Sequence, residues 1–219
     1  MKSSFREIAL AALCLLLLPA AASADGVVVD SCGNSNMVGN PPANIMKTCV
    51  LAGGGTAQYT AQARSGLNTF HDIGSPITVT GVVGQVNMFN LVIASFPHWD
   101  SRGPVLTVLT LAGTATINQP GASINVVLTG MLGGPALVIT QNFTANSVFS
   151  ISVSGFQAIA DAAVMRLEVT ITGNATLNLP NSAEFQGEIP EPATLFLFGT
   201  GLAGVAMKMR KKLRTQKKT

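Results

Sequence analysis

Charged, aromatic, histidine and cysteine side chains are all scarce in this sequence, and each shortage removes a class of function. Charged residues make up 11% and aromatics 5%, with one tryptophan, one tyrosine, two histidines and three cysteines in 219 residues. His71 precedes Asp72 and His98 lies within Pro97-His98-Trp99-Asp100, so each imidazole has a carboxylate that could orient it. Nothing else in the pattern completes an acid–base or metal site. There is no G-x-S-x-G elbow, no H-E-x-x-H pair and no calcium loop of alternating aspartates. Gly53-Gly54-Gly55 lacks the Lys-Ser/Thr that holds a phosphate and reads as a flexible break. No cofactor, no metal and no catalytic residue is therefore expected.

Apolar residues are plentiful, at 47%, and the mean hydropathy is +0.43. Their placement matters more than their number. Two concentrated runs, Ile8–Leu18 and Leu195–Met207, lie near the ends, and the long middle is interrupted by Thr, Asn, Ser and Gly. The formal charge of +3 likewise divides by segment. Lys208, Arg210, Lys211, Lys212, Arg214, Lys217 and Lys218 crowd the last residues. Between Asp25 and Met207 only Lys47, Arg64, Arg102 and Arg166 stand against Asp25, Asp30, Asp72, Asp100, Asp161, Glu168, Glu184, Glu188 and Glu191. The body is acidic despite a sequence pI of about 8.9, and such a surface is a poor partner for nucleic acid.

The N-terminal run follows Lys2 and Arg6 and is followed by Pro19 and Ala22-Ser23-Ala24. A basic start, a short apolar stretch and an A-x-A site define a secretory signal, cut after Ala24 to leave Asp25 first. Signal peptidase and the general secretion machinery are the implied partners. At the other end, Pro190-Glu191-Pro192 precedes the uncharged stretch Ala193–Met207 and then the basic tail. The prolines hold an extended, accessible segment. As a helix, Ala193–Met207 would rise about 22 Å, short of a ~30 Å hydrocarbon core, which suits a temporary stop. Lys208, Arg210, Lys211, Lys212 and Arg214 form the membrane stop, because cations are costly to translocate.

The ordered series Pro190-Glu191-Pro192, Gly-interrupted apolar helix and Arg/Lys cluster resembles the PEP-CTERM sorting signal. That resemblance covers roughly the last thirty residues. It implies an exosortase as partner, processing near Pro190–Pro192, and export in bacteria that make exopolysaccharide and biofilm. The expected route is an inner-membrane-anchored intermediate, then the cell surface or extracellular matrix.

The three expected parts are a signal peptide at 1–24, a β-rich extracytoplasmic domain at 25–188 and a sorting signal at 189–219. In the middle part, β-branched residues and partial alternation mark Ile77–Thr80, Gln85–Ile93, Val105–Leu111, Thr114–Ile117, Ile124–Thr129, Ala136–Thr140, Val148–Ser154 and Leu167–Thr172. Gly81, Gly84, Gly103-Pro104, Pro120-Gly121, Gly130, Gly133-Gly134-Pro135, Gly155 and Gly173-Asn174 punctuate them. Eight or so short strands predict an all-β fold, a single antiparallel β-sandwich or jelly-roll-like domain flanked by the signal peptide and a C-terminal transmembrane helix. A short helical turn is predicted near Gln157–Val164. With Cys14 removed in the signal, Cys32 and Cys49 are left to pair in an oxidising compartment, which stabilises by roughly 3 kcal/mol on a chain-entropy argument.

The leading reading is a non-enzymatic structural or interaction component of exopolysaccharide or biofilm. Trp99 and Asp100, with Tyr59, are the candidate carbohydrate contacts, since sugars stack on exposed aromatic faces beside carboxylates. The alternatives are a carbohydrate-active enzyme using a pair among Asp72, Asp100, Asp161 and Glu168, and a permanently anchored surface protein. The tail predicts topology directly. A membrane-impermeant amine reagent applied from the periplasmic side should leave Lys217 and Lys218 of the unprocessed chain unlabelled, and their labelling would overturn the sorting orientation.

Overall fold

In a computed structural model, residues 26–188 are described apart from 33–34, 39–44, 67, 98 and 100–102, and apart from the side chains of 35–38, 181 and 182. Residues 1–25 and 189–219 lie outside this range, and with them the expected signal peptide, its cleavage residues Ala22, Ala24 and Asp25, the motif Pro190-Glu191-Pro192, the membrane helix and the stop cations Lys208 to Arg214. Among the described residues no helix is long and apolar enough to cross a membrane.

Among the described residues twelve strands follow one another: β1 (Gly26–Asp30), β2 (Ser35–Val38), β3 (Ile45–Val50), β4 (Thr56–Gly66), β5 (Thr69–Thr80), β6 (Val86–Ser95), β7 (Val105–Ile117), β8 (Ser123–Met131), β9 (Leu137–Phe143), β10 (Ser147–Gln157), β11 (Ala163–Thr172) and β12 (Ala175–Glu188). They form two six-stranded sheets, ordered β2-β1-β6-β11-β8-β9 and β10-β7-β12-β5-β4-β3. Every pairing is antiparallel. The sheets pack face to face as a β-sandwich. Period two explains it: β6 buries Phe89, Leu91 and Ile93, β8 buries Ile124, Val126 and Leu128, and β11 buries Met165, Leu167, Val169 and Ile171. The facing sheet supplies Ile77, Val79, Leu109, Leu111, Leu177, Leu179 and Phe185. Small residues set the spacing where a large one must fit. A Cβ on Gly130 would lie 2.5 Å from Phe185 Cδ2, so this glycine makes room inside β8 and is no turn.

Several sequence expectations are corrected by the register. The two segments expected at Val105–Leu111 and Thr114–Ile117 are one strand, β7, running through Gly113. Gly113 lies beside the point where β12 shifts register between Asn178 and Ser182, and a Cβ there would collide with the Asn178 carbonyl. Gly155, expected in a turn, pairs with Thr107 inside β10. Residues 158–162 form a connection without helix, because Gln157 ends one strand and Ala163 begins the next. Gly53-Gly54-Gly55 is a hydrogen-bonded turn between β3 and β4. Leu51 N donates to Gly55 O at 2.7 Å, Gly54 N to Leu51 O at 2.8 Å, and Gly55 N to the buried Asn87 Oδ1 at 2.7 Å.

One polar cluster ties the first strand of one sheet to the other sheet. Asp30, at the end of β1, accepts from Lys47 Nζ of β3 at 2.8 Å, from the Tyr59 hydroxyl of β4 and from Cys32 N at 2.7 Å. Cys32 and Cys49 form the expected disulfide alongside, with Cα atoms 6.0 Å apart. Burial would raise the Asp30 carboxyl, but the hydrogen bonds from Lys47, Tyr59 and Cys32 and the Lys47 charge outweigh it and hold it below its ordinary value. The same contact and its own burial raise the Tyr59 phenol. A carboxylate bonded three ways tolerates burial that an unpaired one would not. Replacing Tyr59→Phe removes one charge-assisted bond with little change of volume, and equilibrium urea unfolding should show a loss of about 1.5–3 kcal/mol.

Candidate functional site

The loops at one end of the sandwich enclose a cleft. Phe96 and Pro97 leave β6, Trp99 follows, Gly103 and Pro104 lead into β7, and residues 156–161 leave β10. Together they line an open cleft of about 850 Å³. That volume falls within the roughly 300–1,000 Å³ typical of ligand sites. Phe156 is 66% exposed and Phe96 38% exposed, so both present ring area to solvent.

The cleft is fixed from beneath. Trp99 donates its indole N–H to the Ala160 carbonyl at 3.0 Å, which ties the two loops together. Its ring meets Phe70 edge to face at 6.3 Å, and Phe70 lies against Phe185 at 4.8 Å. Trp99 is therefore half-buried, a packing residue and a wall residue at once. Gln157 is buried below. Its Oε1 accepts from Leu132 N at 2.7 Å and its Nε2 donates to the Pro135 carbonyl at 3.1 Å, so its amide is committed to the scaffold. Asp161 stands exposed at the rim.

The other residues singled out by sequence disperse. Tyr59 cannot join Trp99 as a sugar platform, because it is fully buried, bonded to Asp30 and tilted against Phe89 at 5.5 Å. His98 and Asp100 lie outside the described residues. His71 and Asp72 are successive residues of β5 and so face opposite sides of the sheet. His71 Nε2 lies 3.5 Å from Glu184 Oε2 on the outer side. Asp72 faces the core and cannot orient the imidazole. Glu168 lies on the outer side of β11, 3.7 Å from Arg166. Of the four carboxylates considered as a catalytic pair, the three described ones therefore occupy a core position, an outer sheet face and a loop. Among the described residues no three of His, Cys, Asp and Glu gather within metal-holding range.

What sequence reasoning missed about Asp72 is its burial. Its carboxyl and the Ser95 hydroxyl are wholly buried, and neither makes a hydrogen bond of ordinary geometry. Burial pushes Asp72 well above the usual carboxylate range, with Ser95 opposing the shift only in part. The only sequence signal was an acidic residue at an inward position of an alternating strand.

The geometry defines an all-β, two-sheet domain with an aromatic-walled cleft at one end. Residues 188–211 match the family described as the PEP-CTERM protein-sorting motif. The chain thus carries, directly after β12, the signal of an exported protein processed by an exosortase. No curated protein matches the chain. Three solved structures show weak likeness. TmCBM61 in complex with β-1,4-galactotriose has 9% identity and a TM-score of 0.35, over 52% of this chain and 70% of that one. A family 16 carbohydrate binding module has 11% identity and a TM-score of 0.30, over 52% and 84%. The CBM22-1-GH10 modules of Clostridium thermocellum xylanase 10B, complexed with xylohexaose, have 11% and 0.28, over 53% and 22%. Likeness at that level assigns no ligand to this chain.

Asp72 makes a signed prediction about pH. A carboxyl whose folded value is raised stabilises fully below its unfolded value, near pH 4, and that contribution is lost as pH rises toward the folded value. Asp30, held low, acts in the opposite sense and only in more acidic solution. Melting temperatures of Asp72→Asn should therefore fall less between about pH 4 and pH 7 than those of the unsubstituted chain. Equal slopes would mean that Asp72 is not held neutral.

Proposed function

We propose that this is an exosortase-sorted surface or extracellular-matrix protein whose β-sandwich serves as a non-catalytic structural or interaction component of exopolysaccharide or biofilm. The match of residues 188–211 to the sorting motif carries this reading. Each remaining part has a role in it. The signal at 1–24 starts export, the short apolar segment arrests the chain, the cations hold its end in the cytoplasm, and the exosortase acts near Pro190–Pro192. The body suits release into an oxidising exterior, since its disulfide and the Asp30 cluster link the two sheets independently of the tail.

A second reading is favoured by the cleft: a carbohydrate-binding module whose Phe96, Trp99 and Phe156 receive apolar sugar faces while Asp161 accepts hydroxyl hydrogen bonds at the rim. This reading is compatible with the first and gives the exported body a ligand.

Intact-mass measurement tests the main proposal. Protein recovered from the surface or medium should begin at Asp25 and lack the basic tail, whereas a host without its exosortase should retain the tail in the membrane fraction. A surface protein that keeps residues 208–219 in the normal host would instead be a permanent anchor. For the cleft, titration with the host's own purified polysaccharide should show binding that Phe96→Ala weakens at least several-fold, with the melting temperature little changed. Degradation of that polysaccharide by the pure protein would sink the non-catalytic reading.

A further inference from the structure

No charged side chain and no histidine occurs between Arg102 and Asp161, and this stretch builds β7, β8, β9 and β10. β10 is the outermost strand of its sheet, bonded on one side to β7 through eleven consecutive register pairs from Ser147↔Ala115 to Gln157↔Val105. Among the described residues no strand pairs with its other side. Exposed edges are ordinarily protected by charge, proline, a bulge or shortness, because free N–H and C=O groups recruit further strands. β10 has none of these: it is 11 residues long, uncharged, free of proline and regular in register. The remaining edges differ. β2 has 4 residues, β3 has 6 and carries Lys47, and β9 has 7.

The outer row of β10 is Val148, Ser150, Ser152, Ser154 and Phe156. Val148 is 86% exposed and Phe156 66%, and the three serines between them are exposed as well. The row reads the same in both directions, apolar at each end and hydroxyl in the middle, with Ser152 at its centre. A second strand laid antiparallel about Ser152 places Val148 opposite Phe156, Ser150 opposite Ser154, and the two Ser152 residues opposite each other. An aromatic facing a β-branched residue is a favourable cross-strand pair of antiparallel sheets, and facing serine hydroxyls can donate to and accept from one another. On the inner row the same register sets Ile151 opposite Val153 and Phe149 opposite Gly155, which leaves room for the ring. Self-complementarity of this kind is what a two-fold interface requires, since one patch must serve both copies.

We infer that β10 is a homodimer interface, at which two copies of this chain join their sheets edge to edge through antiparallel pairing centred on Ser152. The main-chain bonds supply affinity and the Val148–Phe156 contacts, made twice, fix the register. The absence of charge admits a second copy without the like-charge repulsion that an acidic body would otherwise bring to its own edge.

Sedimentation velocity on the processed chain purified from its producing cells tests this. The unsubstituted protein should dimerise reversibly with concentration. Ser150→Lys with Ser154→Lys sets like charges directly opposite and should weaken dimerisation at least tenfold with the melting temperature of the monomer unchanged. Ser150→Glu with Ser154→Glu should do the same, and mixing the two variants should restore a heterodimer, because in this register each Lys faces a Glu. Val148→Ser, a milder change, should weaken pairing without adding charge. A protein that stays monomeric at every attainable concentration overturns the inference. So does a dimer that the lysine pair leaves intact, or a mixture of the two charged variants that stays monomeric.

Discussion

Two sheets sharing one dry layer is the constraint on which everything else in this domain rests. Alternation supplies it: the long strands turn rows rich in Val, Ile, Leu, Phe or Met inward, while their outward rows mix Thr, Ser and Asn with exposed apolar residues such as Val86, Met88 and Leu106. Once the inner rows of β5, β6, β8, β11 and β12 are buried together, register is no longer free, because a one-residue slip would turn every apolar side chain to solvent. The connections are then confined to the two ends. There Phe96, Pro97, Gly103 and Pro104 meet the Ala158–Asp161 segment around Trp99 and form the cleft.

Into that dry layer the fold admits two aspartates and treats them oppositely. Asp30 lies where β1, β3 and β4 converge, and it is met by an ammonium, a phenol and a backbone amide, so its charge is retained. Asp72 faces Ser95 across the sheets without a formed hydrogen bond, so burial favours its neutral form. Both carboxyls have almost no surface open to water, but Asp72 lies deeper in the core and only Asp30 has hydrogen-bond donors to meet its charge. The disulfide next to Asp30 adds a covalent link between the same two sheets, at the margin where β2 and β3 are short and can contribute little burial.

Charge is distributed by segment, and each segment behaves accordingly. The basic end begins within the sorting motif matched at residues 188–211 and runs on past it, the acidic residues are scattered over the body, and the stretch that forms β7 to β10 has no charge at all. A net charge of +3 describes none of these parts. In the roles proposed for them, the cations would hold a membrane orientation, the acidic surface would disfavour polyanions, and the uncharged strand edge would accept another strand.

The features that local chemistry dictates were legible in the sequence alone. The sorting tail, the all-β class and the pairing of Cys32 with Cys49 belong here, because a tripartite order, a period of two and the two cysteines that lie beyond the N-terminal apolar run can be read from the chain itself. The strands from Ile77 to Thr172 were readable for the same reason. Strands β1 to β4 and β12 were not, since glycine, alanine and asparagine blur their alternation and their pairing depends on distant partners. Only the tertiary structure decided that Tyr59 is a buried donor and not a surface platform, that His71 and Asp72 part to opposite faces, and that Trp99 closes an end against Phe70. It alone left β10 at an edge. Those outcomes follow from which strands become neighbours, and neighbours are chosen by burying the whole inner surface at once, a quantity that no local window of sequence contains.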